Sequence, residues 1–107
     1  MGILISQMRL AQINSYRSDL EYKIQLVSTT KLDLSSQLND IIGLGSDFAQ
    51  DSPEMKALEQ KKQRLQQAEK QLDLQLQRYQ TQLQMIEQEE QSVKEQLQKS
   101  IQRSYAA

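Results

Sequence analysis

The stretch Gly43-Leu44-Gly45-Ser46-Asp47-Phe48-Ala49-Gln50-Asp51-Ser52-Pro53-Glu54 decides how this chain folds. It holds the only Pro and two of the three Gly, the third being Gly2. Gly43 and Gly45 suit a helix C-terminus, because Gly enters the left-handed conformation often found there at little cost. Ser52-Pro53-Glu54 reads as the start of the next helix. Ser52 can cap orphan amides, Pro53 suits the first helical position, and Glu54 complements the helix dipole. A connection of about seven residues folds its flanking helices back antiparallel. With no further break after Glu54, the expectation is all-α. Residues 1–107 form one antiparallel two-helix hairpin, with helix 1 near 3–43, a turn over 44–52 and helix 2 near 53–104.

Outward from the turn, helix 1 carries Ile13, Leu20, Val27, Leu34, Ile41 and Phe48 at an unbroken spacing of seven. Helix 2 carries Leu58, Leu65, Leu72, Tyr79, Ile86 and Val93 in the same way. These are the d columns. The companion a columns are Ile3, Leu10, Arg17, Ile24, Lys31 and Leu38, then Met55, Lys62, Glu69, Leu76, Leu83, Glu90 and Leu97. Apolar d positions sustained over this length predict coiled-coil packing, and the charged a residues weaken the seam while helping to set its register.

If the turn closes with Ile41 opposite Met55, then Leu38 meets Leu58, Ile24 meets Leu72, Ile13 meets Leu83 and Ile3 meets Val93. Lys31 then lies within a turn of Glu69, and Arg17 lies against Tyr79 with its head in water. Asp19/Lys23, Glu90/Lys94 and Glu95/Lys99 have the i,i+4 spacing of solvated-face pairs.

This alignment leaves two features over. Residues 94–107 overhang by ~20 Å at about 1.5 Å per residue, and Leu97, Ile101 and Tyr105 continue there as an apolar stripe. Helix 1 also has a second apolar face. At about 100° per residue, Leu4, Met8, Ala11, Ser15, Tyr22 and Leu26 point away from the d column, where a lone hairpin would be polar. Helix 2 has a weaker counterpart in Leu74, Met85 and Ser92. Leu4, Met8, Ala11, Tyr22, Leu26, Leu97, Ile101 and Tyr105 are therefore expected to contact other subunits.

Composition narrows the chemistry. The chain has 107 residues, 37% apolar and 25% charged, with a net charge of −1. It contains no Cys, so disulfide scaffolds and thiolate metal sites are excluded. It contains no His, the commonest general base and metal ligand near neutral pH. Twenty residues are Gln, fifteen of them after Pro53, and apolar residues interrupt them at regular spacing, as in a solvated helix face.

Carboxylate pairs such as Glu89/Glu90 lie on helices with no cleft to desolvate them. Gly43-Leu44-Gly45 lacks the third Gly, the Lys and the strand of a phosphate loop. The Lys61-Lys62-Arg64 cluster is flanked by Glu59 and Glu69 and has no stacking aromatic beside it, so nucleic-acid binding is not expected. We expect no catalytic, cofactor or metal site.

No apolar run approaches the roughly 20 residues of a membrane span, and Met1 to Ala11 lacks the basic region and apolar core of a signal peptide. The protein is thus expected in the cytoplasm or exported by a route that needs no signal peptide. Met1-Gly2-Ile3-Leu4-Ile5-Ser6 does fit the M-G-x-x-x-[ST] pattern of N-myristoylation.

The turn Asp51-Ser52-Pro53, the long striped helix after it and the terminal Ile101-Gln102-Arg103-Ser104-Tyr105 resemble the helical-hairpin subunits of bacterial secretion needles and related axial filaments. That resemblance implies two helices joined by a polar turn and a C-terminal helix packed into a filament. The expected function is a non-enzymatic structural protein acting through coiled-coil contacts. Its expected form is a self-assembling subunit of a helical filament, rod or tube, with itself as partner. The alternatives are a coiled-coil adaptor or chaperone bound to another helical protein, and a lipid-anchored peripheral membrane protein.

Overall fold

A computed structural model describes residues 2–106. Its elements are two α-helices, α1 (Ile3–Gly45) and α2 (Pro53–Ala106), and no strand occurs among the described residues. The helices end close to where the sequence places them, but α1 ends differently. No described Gly has a positive φ; Gly43 and Gly45 stay helical, so the expected left-handed cap is not formed. The carbonyls left open at the end of α1 are met from within the turn instead. Ser46 Oγ donates to Gly43 O at 2.7 Å, and Asp47 N donates to Leu44 O at 3.1 Å. The start of α2 is capped as the sequence predicts: Met55 N donates to Ser52 Oγ at 3.1 Å, with Pro53 at the first helical position.

The chain packs as two compact units. One, the turn unit, is Gln25–Gln77. The other, the terminal unit, joins the residues up to Ile24 with those from Arg78 onward. In each, a length of α1 lies against a length of α2. The core is the heptad seam: Val27 and Ile41 are buried in the turn unit, and Ile13, Leu20 and Val93 in the terminal unit. Leu34, Leu58, Leu65, Leu72, Tyr79 and Ile86 are half-buried, as are all the a residues from Ile3 to Leu97 named above. Phe48, placed in the d column by spacing alone, lies in the turn beyond α1 and is exposed. Ser6, one heptad before Ile13, is fully buried in the same column.

The register differs from the expected one by a heptad. In the turn unit Ile41, Gly45, Met55, Leu58 and Lys62 line one small pocket, and Met55 packs against Gly45, so that Ile41 reaches past Met55 to Leu58 and Lys62. In the terminal unit Ile3 stands beside Ser100 and Arg103 where Val93 was expected. The ion pairs agree: Lys31 reaches Asp73, not Glu69, and Arg17 reaches Glu90, not Tyr79. The reason lies in how α1 ends. Because Gly43 and Gly45 stay helical, α1 runs to Gly45 and not only to about residue 43, and the layer next to the turn is Gly45 against Met55. A slide of seven keeps every column facing its partner, so it costs no apolar layer and lengthens the overlap. The expected overhang after Val93 is therefore absent, since Gly2 and Ile3 lie beside Ser100, Arg103 and Ser104.

Candidate functional site

The basic residues of α1 are engaged inside the hairpin. In the terminal unit Arg9 pairs with Glu89 and Arg17 with Glu90, while Lys94 joins Glu90 from the next turn at 3.2 Å. Lys23 Nζ sits 5.8 Å from the centre of the Tyr79 ring, within reach of a cation–π attraction. In the turn unit Lys31 pairs with Asp73. All four basic residues of α1 thus point at α2. The hydrogen bond from Arg17 holds the Glu90 carboxyl below the usual glutamate value of 4.5, against the opposing effect of burial and with further help from Lys94. Ser6 Oγ and Arg17 Nε are buried without a hydrogen-bond partner. Sequence reasoning missed Ser6, although the seven-residue spacing back from Ile13 marks its position.

The surface away from the seam is where the two helices differ. In heptad terms it comprises positions b, c and f, and every described residue there is exposed on both helices. In the terminal unit α1 presents Leu4 at 68% exposure, Met8 at 59% and Tyr22 at 63%, with Ile5 and Ala11 also exposed. In the turn unit it presents Leu26 at 49% and Leu32 at 73%. The b and f positions of α1 from Leu4 to Gly43 contain no charged residue at all. The corresponding face of α2 is largely Gln and Lys/Arg, with Leu74 and Met85 as exposed apolar points. Helix α2 is amphipathic, whereas α1 also carries exposed apolar side chains on its outward face.

Two hydroxyls on this face of α1 are already satisfied within the helix. Ser18 Oγ donates to Asn14 O at 3.1 Å, and Thr29 Oγ1 donates to Gln25 O at 3.0 Å. Back-bonded hydroxyls of this kind can be covered by another helix without leaving a donor unmade.

Of the residues expected to meet other subunits, Leu4, Met8, Ala11, Tyr22, Leu26, Ile101 and Tyr105 are exposed. Leu97 is half-buried in the a column, and with the overhang gone it lies within the length where α1 and α2 overlap. Gly2 is exposed with open space around it, and Met1 of the same motif lies outside the described residues. Among the described residues no helix is long and apolar enough to cross a membrane, and no cluster of acidic side chains is arranged to hold a metal ion. No protein-family model, curated protein or solved structure matches this chain.

Proposed function

We propose that this chain is a non-enzymatic structural protein whose helical hairpin is a building unit, and that copies assemble through the outward face of α1 into a filament, rod or tube. The observation that carries this reading is the exposure of Leu4, Met8, Tyr22, Leu26 and Leu32 on a helix whose opposite side is already buried. Covering such side chains gains about 25 cal/mol per Å² of apolar surface removed from water. A face of this length and composition therefore favours a second helix over solvent. The back-bonded Ser18 and Thr29 fit the same use, since they remove the usual cost of burying hydroxyls.

Light scattering on a size-exclusion column, run over a range of concentrations, tests the reading. The expected result is a mass that grows with concentration, and loss of that growth in Tyr22→Asp/Leu26→Asp with helicity retained. A wild-type chain that stays at hairpin mass at every concentration overturns self-assembly and leaves the apolar face to a different helical protein.

A further inference from the structure

We infer that assembly is face to back: the outward face of α1 on one copy binds the outward face of α2 on the next. This deepens the self-assembly reading and rests on it. What carries it is a sorting of charge within each unit. In the turn unit the outward face of α1 holds Asp33 and Asp40, one heptad apart at the c position, and no Lys or Arg. The outward face of α2 in the same unit holds Lys56, Arg64 and Lys70, and no Asp or Glu. All five are exposed, and none forms an ion pair within the hairpin. The terminal unit shows the same division, with Asp19 outward on α1 and Arg78 and Lys99 outward on α2, where Glu95 is the one acidic exception.

The alternative pairings fail on charge. Two α1 faces brought together set Asp33 and Asp40 against their own copies, with no base on that face to neutralise them. Two α2 faces set Lys56, Arg64 and Lys70 against each other. Like charges across an interface cost free energy and exclude the wrong pairing. One face of each kind resolves both conflicts. With the helices antiparallel and Asp33 opposite Arg64, Asp40 falls opposite Ala57, next to Lys56. The uncharged b and f stripe of α1 then lies on the Gln side chains of α2, which can supply adaptable hydrogen bonds around Leu32.

The consequence is architectural. A contact between two different faces leaves a free α2 face on one copy and a free α1 face on the other. It therefore propagates into a ring or an open filament and does not stop at a dimer.

Two charge-reversed chains test this: Asp33→Lys/Asp40→Lys, and Lys56→Glu/Arg64→Glu/Lys70→Glu. Each is followed by sedimentation velocity beside the wild type, with circular dichroism to check helicity. Either reversed chain alone should need at least ~10-fold more protein for half-assembly, because like charges now meet across the contact. An equimolar mixture of the two should restore wild-type assembly, since each then offers the complement of the other. If the α2 reversal alone assembles like wild type, the face-to-back contact is wrong although self-assembly stands. If the mixture fails to assemble where wild type does, the charge pairing is wrong. A wild type that never assembles overturns the underlying reading as well. Should either reversal lower helicity, the neutral set Asp33→Asn/Asp40→Asn and Lys56→Gln/Arg64→Gln/Lys70→Gln replaces it. The expected result is then weakened assembly in both chains, and an unchanged α2 chain rejects the contact.

Discussion

Leu20 and Leu26 sit six residues apart on one helix, and truncating each to Ala separates the two faces of α1 quantitatively. Leu20 is 1% exposed in the seam of the terminal unit, whereas Leu26 is 49% exposed on the outward face. Removing a buried Leu side chain forfeits its transfer free energy and leaves a void, typically costing 2–5 kcal/mol. A seam between two helices can close partly around the gap, so about 2.5 kcal/mol is expected for Leu20→Ala. Leu26→Ala removes groups already half in water and places a better helix former there, so the change should stay within about 0.5 kcal/mol.

At roughly 4 °C per kcal/mol for a chain of this size, the dilute hairpin should melt ~10 °C lower for Leu20→Ala and within ~2 °C of wild type for Leu26→Ala. Circular dichroism melts at the lowest workable concentration measure both. At high concentration the order reverses for association, with Leu26→Ala losing more of it than its small stability change allows. Equal melting losses at low concentration would refute the reasoning, because Leu26 would then be part of the hairpin's own core.

Other substitutions probe single features. Gly43 is helical with nothing within 4 Å of an added Cβ, so Gly43→Ala should stabilise the hairpin by about 1 kcal/mol. A drop in melting temperature would instead indicate the left-handed cap. Ser6→Ala removes a buried hydroxyl that has no partner, and is expected to leave stability unchanged or raise it by about 1 kcal/mol in denaturant titrations. A clear loss would mean that the hydroxyl is satisfied in solution. The lowered Glu90 pKa sets the direction of one pH effect. A carboxyl held below its unfolded value contributes stability above that value and loses it as pH falls through the depressed folded one. Wild type should therefore lose stability below about pH 4.5, and Glu90→Gln should show a shallower loss over the same window in melts recorded from pH 6 to pH 2.

What the sequence determined by itself was the start of α2 and the buried columns of both helices, although not the end of α1, where the Gly cap expected locally is not formed. Ser52-Pro53-Glu54 marks the start of α2 because capping depends on a few neighbouring atoms, and the structure has that cap. The heptad columns mark the buried side of each helix because helix geometry repeats along the chain, from Ile13 to Ile41 and from Leu58 to Val93. The apolar second face of α1 was legible for the same reason.

Tertiary structure alone decided the alignment of the two helices. A seven-residue repeat looks identical after a slide of seven, so the columns could not choose between Met55 and Lys62 as the residue opposite Ile41. The choice fell to the few residues that end α1, where Gly43 and Gly45 stayed helical, and to the ion pairs Lys31–Asp73 and Arg17–Glu90 that this register brings together. The burial of Ser6 and the half-burial of Leu97 follow from that placement. Each depends on which groups meet across space, a property that spacing along a single helix does not contain.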